Sequence, residues 1–523
     1  MAEKIRQIKW RNIIGYGAAD VFGNGALAVV STWMLFFYTT FCGLSPIEAG
    51  SILAIARVVD SFISPVMGNI TDHFGSTRLG KRFGRRRFFL LLACPLMIFY
   101  VLLWVTGLNY WYYLITYIII ETLTAIVMIP YETLASEMTN DYSERTKMTS
   151  SRMLWAAVAT LLTAWLPGRF FAMLGQHNRW AFFAMGVSLA IIFIIVLLIT
   201  YFSTWERLDT VKEKAMQKTN VDDDLSAIEH VDDHAVESLY LEKESFSQRI
   251  VHGLKDFISA FRVKSFALHL MIYLLTFTAR DIIGSIYVFF VIFAIHSDSI
   301  TASNLLTFGG LIGIPCNFFW PYIMTKLGPS RLLRVMYYTI AGILAAYAWL
   351  YVSPLVGTVS AITLLYVLQI VWSIANSGTG YVPWTVYTFM PDIDEIVTKK
   401  RREGLFAGIM TFSRKSTSAL APLLTGIALQ AGGFVETAKT QTQHATNTMV
   451  WFLVVSVGIL LLLALICTLF FHVSKENHEI LEGEVARLKN GGLMADVDPK
   501  TRAVVENLTG FHYHQLWGNN RWS

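Results

Sequence analysis

Charged residues make up only 15% of this 523-residue chain, against 54% hydrophobic residues and a mean hydropathy of +0.49. That scarcity excludes an ordinary soluble globule and a disordered chain alike. Cysteine is nearly absent: Cys42, Cys94, Cys316 and Cys467 show no CxxC or Cys/His spacing. Neither a zinc site nor a disulfide framework is expected, and all four read as small buried apolar side chains. No nucleophile-base pairing runs along the chain, so neither enzymatic chemistry nor a cofactor is expected. The net charge of +5 restates a few basic loops and carries no nucleic-acid signal.

What is present is apolar sequence in long runs. A spanning helix needs about 20 apolar residues, and twelve such runs are found near 13–38, 48–70, 88–107, 111–136, 151–173, 180–202, 264–295, 302–325, 332–352, 356–388, 404–431 and 447–472. The first is too long for a signal-peptide core and lacks a cleavage pattern, so it stays as a helix. Lys and Arg cluster at Arg78–Arg87, at Lys326, Arg331 and Arg334, and at Lys399–Arg402, whereas Thr39–Ile47, Gly107–Tyr110 and His296–Ser299 have none. By the positive-inside rule both termini are cytoplasmic, and the basic loops are topogenic.

The chain repeats itself at a constant offset. Gly75-Ser-Thr-Arg78-Leu79 matches Gly328-Pro-Ser-Arg331-Leu332, and Pro130-Tyr131 with Asp141 matches Pro383-Trp384 with Asp394, each pair 253 residues apart. Two six-helix halves related by an axis along the membrane normal are the arrangement of the major facilitator superfamily, with a substrate site between them at mid-depth. The expected division is 1–202 and 263–472 for the halves, 203–262 for an acid-rich cytoplasmic linker and 473–523 for a polar tail. Within the linker, Phe246–Phe261 has the spacing of an amphipathic helix.

Charges inside the runs are the functional candidates. An ionised side chain at bilayer depth costs roughly 2.5–3.5 kcal/mol on insertion scales, so it persists mainly where it lines a water-filled path. Asp60 lies about 18 Å into its run, and Arg57, Asp60 and Ser64 share one helical face. Lys415 lies at similar depth in the other half, and Arg280 stands beside Asp281 near the centre of the seventh run. A carboxylate there can load and release H+ as access switches sides. Asp60 with one hydroxyl suits a proton better than Na+, although Na+ at Asp60 stays open if backbone carbonyls supply the other ligands.

These residues resemble the glycoside-pentoside-hexuronide:cation symporters, the family of the melibiose permease. The resemblance rests on Gly15-Tyr-Gly-Ala-Ala-Asp20 with Asn24, Arg57-Val-Val-Asp60 through Pro65-Val-Met-Gly68, Pro130-Tyr131 through Asp141-Tyr-Ser-Glu-Arg145, and Asp392-Ile-Asp394-Glu395 leading to Lys400-Arg-Arg-Glu-Gly404. It implies that Asp60 is the principal cation-site aspartate, Arg57 its neighbour, Lys415 the lysine linking cation and sugar sites, and Arg152 the arginine at the cytoplasmic end of the sugar cavity. Asp20 belongs with the substrate contacts. The chain departs from the melibiose permease where Ser64 replaces a second cation-site aspartate and where Asn24 and Met128 replace two sugar-binding aspartates.

Fewer carboxylates beside Arg152, Arg280 and Lys415 leave a positive cavity, and Arg grips a carboxylate with two hydrogen bonds. The expectation is an all-α, twelve-helix importer of an anionic sugar, a uronide or oligogalacturonide, with H+ or Na+. Asn24, Asp20, Arg152, Arg280, Lys415, Tyr131 and Trp384 are its substrate contacts, and Trp384, Tyr131 and Trp372 can stack on a sugar face. Its partners are the sugar and the lipid bilayer of a bacterial inner membrane, and a monomer is expected. Asp394–Glu403 could form cytoplasmic gate salt bridges. A neutral glycoside or pentoside symporter, a lysolipid carrier and a membrane sensor are the alternatives.

Overall fold

The computed structural model describes residues 8–139, 141–206, 258–400 and 402–519. Among them there are helices and no strands. In chain order they are α1 (Trp10–Gly17), α2 (Asp20–Val29), α3 (Leu35–Thr40), α4 (Pro46–His73), α5 (Arg78–Phe83), α6 (Arg87–Leu96), α7 (Ile98–Leu102), α8 (Tyr110–Met138), α9 (Tyr142–Leu174) and α10 (Arg179–Ser203). The second series is α11 (Lys264–Phe289), α12 (Ser299–Cys316), α13 (Trp320–Leu327), α14 (Pro329–Val352), α15 (Val359–Tyr387), α16 (Met390–Thr398), α17 (Glu403–Ser418), α18 (Leu420–Ala431), α19 (Gln443–Phe470), α20 (Lys475–Lys489) and α21 (Pro499–Thr509). The acidic linker and nearly all of its amphipathic stretch lie outside the described residues.

Local chemistry sets the helix ends. Ser45 caps α4 in a reciprocal box with Glu48, and Pro46 takes the first turn, where its missing N–H costs nothing. Asn109, Asp298, Thr358 and Thr442 cap α8, α12, α15 and α19 in the same side-chain manner. At Gly328 the backbone turns with φ +77, a region open to glycine, which ends α13 and starts α14 at once.

Among the described residues nine helical segments are long and apolar enough to cross a membrane. Three further stretches stand where the remaining expected spans fall: α4, α6 with α7, and α17 with α18. Several expected runs are broken. Pro95 precedes the interruption between α6 and α7, and Pro315 the one between α12 and α13, because proline removes a backbone donor and crowds the preceding turn. The opening helix of each half passes through a π-helical turn, Val30–Met34 in one and Phe290–Ala294 in the other.

The chain divides into two units. The first comprises Met1–Trp205, Leu268–Phe389 and Met410–Ile480. Within it the halves meet where α4 packs on α18 and α9 on α12. These crossings are backbone-close. A Cβ at Gly50 would lie 2.6 Å from the Pro422 carbonyl oxygen, and one at Gly426 would collide with that of Pro46. Small residues let helices approach when lipid offers no hydrophobic drive. Ser303 donates to the Ala164 carbonyl and accepts from Gly168 N–H at 2.9 Å. Phe36, Phe289, Phe293 and Phe434 close over the same end, with ring centroids 5.6 Å apart for Phe36–Phe289 and Phe293–Phe434. All of these contacts gather at the end that carries the Lys- and Arg-free loops.

The second unit comprises Glu206–Ala267, Met390–Ile409 and Leu481–Ser523. Here the tail is tied to α16 and to the first turn of α11. Trp517 and Gly518 N–H groups donate to the Ile396 and Val397 carbonyls at 2.8 and 3.1 Å, and Ser265 donates to Leu508 at 2.6 Å. Asp394 holds Arg402 at 2.6 Å, and Glu395 holds Lys489 at 2.6 Å.

Glu484 in α20 is buried, which alone would raise its carboxyl, but hydrogen bonds from Arg487 and Tyr513 outweigh burial and hold it below its ordinary value. Such a group contributes stability above its unfolded pKa, and that contribution is lost as the pH falls through the folded value. The tail is therefore expected to loosen below the ordinary glutamate pKa of about 4.3, read as faster amide exchange at Trp517 and Gly518. Glu484→Gln should flatten that dependence; an unchanged pH profile in the variant would clear Glu484 of the role.

Candidate functional site

Asp60 stands midway along α4, and Lys415 reaches it from α17 in the other half, with Nζ 2.7 Å from Oδ2. Ser64, one turn beyond Asp60, donates to the Asp60 carbonyl at 3.0 Å and accepts from Lys415. The ammonium thus sits between carboxylate and hydroxyl. Asp60 is nearly buried and Lys415 about one-third exposed, at 10% and 32% side-chain exposure.

Arg57 does not pair with Asp60. Its guanidinium turns to Glu121 of α8 at 3.1 Å and donates to Ser31 at 3.0 Å. Glu121 also accepts from the Tyr117 hydroxyl at 2.6 Å. Nor does Arg280 pair with Asp281: that carboxylate is gripped in a two-point fork by Arg414 of α17 at 2.7 and 2.8 Å. Adjacent residues on a helix point about 100° apart (3.6 per turn), which aims Arg280 elsewhere. Its guanidinium lies over the Phe277 ring at 4.9 Å. Among the described residues no carboxylate comes within ion-pairing distance of Arg280. Gly380 makes room for it, since a Cβ there would sit 2.5 Å from its Nη1.

Around this cluster lies a cavity of about 130 Å³ lined by Ser31, Leu53, Arg57, Arg280, Ser285 and Arg414 among others. A second, of about 290 Å³, opens on the side of α15 and takes in Trp372.

A separate knot forms on α2, α8 and α9. Asp20 accepts from Arg152 at 2.6 Å and from Tyr131 at 2.9 Å, and Asn24 donates to it at 3.1 Å. Arg152 also touches Glu132 at 3.3 Å. Tyr131 is 1% exposed, wedged between Tyr16 and the Arg152 guanidinium, so its ring is not available for stacking on a sugar. Met128 packs against Gly23. Trp384 keeps an open face at 47% exposure, braced edge-on by Tyr273.

The pairs revise the charge count read from sequence. Arg152, Arg57, Arg414 and Lys415 each face a carboxylate, which makes the cavity less positive than three bare cations imply. Glu121, Tyr117 and Arg414 were not among the residues singled out. Glu121 sits inside the run 111–136, so the rule that marked Asp60 marks it too; Arg414 precedes Lys415 directly.

A family model described as MFS/sugar transport protein matches residues 15–241 and 234–475. The isoprimeverose transporter of Lactiplantibacillus pentosus is 25% identical over 490 residues, 91% of each chain. The glucuronide carrier protein homolog of Escherichia coli (strain K12) is 24% identical over 442 residues, 82% of this chain and 85% of that one. The crystal structure of a D-xylose-proton symporter shares the fold with a TM-score of 0.58 at 15% identity, covering 88% of this chain and 96% of that chain.

Breaking a buried pair from one side strands the other charge, at about 3–5 kcal/mol, whereas replacing both partners with apolar groups is often neutral. Arg57→Met and Glu121→Met are each expected to lower thermal stability in detergent clearly, and the two together to recover most of the loss. A double variant as unstable as the sum of the singles would mean that the two charges do not support each other.

Proposed function

The chain belongs to the MFS/sugar transport protein family and is an integral membrane sugar:cation symporter, not an enzyme; from that premise we propose that it imports an anionic sugar, a uronide, together with H+. The observation that carries the anionic reading is Arg280, a cation on the wall of both cavities with no carboxylate partner among the described residues. A guanidinium offers a carboxylate two parallel hydrogen bonds, and a uronide brings the counter-charge that the cavity lacks. The glucuronide carrier homolog among the relatives supports this reading; the isoprimeverose transporter keeps a neutral glycoside as the outcome that would replace it.

Asp60 is the coupling carboxylate. With Lys415 already between Asp60 and Ser64, a proton is the cation that can join without evicting the ammonium. Protonation removes the charge that holds Lys415, and Lys415 links the halves through this contact. Arg414 and Lys415 are consecutive, so a substrate that draws Arg414 or Arg280 shifts the same stretch of α17 that carries the coupling pair. Substrate and proton are thereby felt by one helix. Na+ would have to displace the ammonium to reach the same oxygens.

The tightly packed end faces outward and the arginine-rich loops face the cytoplasm, which makes this an inward-facing arrangement in a bacterial inner membrane, with both termini inside.

The test is uptake into proteoliposomes of galacturonate oligomers, glucuronides and neutral glycosides, each under an imposed H+ or Na+ gradient. Asp60→Asn is expected to abolish uphill accumulation while leaving exchange; a variant that still concentrates substrate would remove Asp60 from coupling. Arg280→Ala should weaken uronide uptake about tenfold or more, the scale of one charge-assisted contact, and neutral glycoside uptake much less. Equal losses would make Arg280 structural.

A further inference from the structure

A third cavity lies at the packed end of the first unit, apart from the charged cluster. It encloses about 490 Å³, inside the range of about 300–1,000 Å³ usual for small-molecule sites and larger than either cavity beside Arg280. Among the described residues it shares no lining position with those two. Both halves build it, and from matching places. One half gives the end of its opening helix, at Phe36, Thr40 and Phe41, and the loop after α9, at Gln176 and His177. The other gives the end of its own opening helix, at Ile292 and Phe293, and the loop after α18, at Thr437 and Thr440. The Gln176 side-chain oxygen already crosses between them, accepting from Ser299 N–H at 3.2 Å.

The walls are rich in hydroxyls, and one of these is stranded. Thr39 donates to the Leu35 carbonyl at 2.9 Å, as a threonine on a helix commonly does, whereas the Thr40 hydroxyl oxygen is buried with no hydrogen-bond partner. A buried polar group left unpaired is costly, and a ligand hydroxyl can answer it. Ser297, Thr437 and Thr440 add further hydroxyls, half-buried Phe41 adds an apolar surface, and Lys439 and Asp298 supply one charge of each sign. Hydroxyls beside an aromatic ring, with no excess of formal charge, suit a neutral sugar ring. The backbone is unusual here as well. His296 and Thr437 hold φ +58 and +61, a region that a β-branched residue such as Thr rarely enters, and both line this cavity. Such conformations concentrate at ligand clamps and switch regions.

Resting on the inward-facing reading, we infer that this is a second sugar site, outside the transport path, and that filling it holds the packed end shut. Because its walls belong to both halves, the site is complete only while that end is closed. A ligand touching both walls shifts the carrier toward the closed arrangement by its difference in affinity for the two. Import needs the end to open, so abundant external sugar brakes the carrier. Thr40, Phe41 and Thr437 are its contacts, and none of them belongs to the charged cluster.

The test uses the full-length protein in right-side-out membrane vesicles, with Cys42, Cys94, Cys316 and Cys467 replaced by Ser and with Ser418→Cys on the wall of the cavity beside Arg57. A membrane-impermeant maleimide added outside reaches that position when the packed end opens, so its labelling rate reports opening. Galactose and xylose are the probes. At least one of them is expected to slow labelling about fivefold or more when well above its dissociation constant. Thr40→Val, which keeps the shape and loses the hydroxyl, should require about tenfold more sugar for the same slowing, and Thr440→Trp, which fills the cavity, should abolish it. Labelling that neither sugar slows, or slowing that survives both variants, overturns the site. Arg280→Ala should leave the slowing unchanged; its loss there would assign the effect to the central cavities instead. If the maleimide labels freely from outside and only slowly from the cytoplasmic face, the inward-facing reading fails, and calorimetric binding of the two sugars to wild type and Thr40→Val in lipid nanodiscs then judges the site alone, with equal affinities overturning it. Thermal unfolding of each variant separates a lost site from a misfolded protein.

Discussion

A charge inside a hydrocarbon layer must be answered by another charge, because water cannot answer it there. This constraint organises the interior of the first unit. Asp60 is answered by Lys415, Glu121 by Arg57, Asp281 by Arg414 and Asp20 by Arg152. Each contact joins side chains from different helices, so the pairs also specify which helices lie side by side. Such pairs add little net stability once desolvation is counted. On the proposed reading, a proton or a competing anion changes the balance at one pair without disturbing the apolar packing around it.

The two kinds of contact between the halves are arranged accordingly. At one end Gly50, Gly426, Gly168 and Ser303 bring backbones together and four phenylalanines cluster beside them. At mid-depth the contact is ionic, through Lys415 and Asp60. Apolar packing between small residues depends on geometry alone, whereas the ionic contact depends on protonation state and on what else occupies the site. A carrier that must close one end and sense its cargo at the centre needs both.

Much of this was legible one residue at a time. Apolar run length located the spans, and the intramembrane rule marked Asp60, Lys415 and Arg280, which lie in α4, α17 and α11. Partners were not legible. Arg57 lies one turn from Asp60 and Arg280 is adjacent to Asp281, yet neither forms a pair with its neighbour. Arg57 turns across to Glu121, and Asp281 is taken by Arg414, more than 130 residues away in sequence. Tyr131 has the composition of a sugar-stacking residue but is buried under Tyr16 and Arg152. Side-chain direction around a helix axis and the identity of the facing helix decide such matters, and neither is written in local sequence.

By itself, then, the sequence determined the membrane class, the repeated helical plan and the set of charges that must be accommodated, because hydropathy, loop charge and internal repetition are properties of short segments. Tertiary structure alone decided which charges neutralise each other and that Arg280, among the described residues, has no carboxylate partner. Arg280 differs from Arg57, Arg152 and Arg414 only in what faces it, and facing is set by the packing of helices distant in the chain. The same packing sets the two cavities side by side, with Arg280, Asp281, Gly284 and Arg414 lining both.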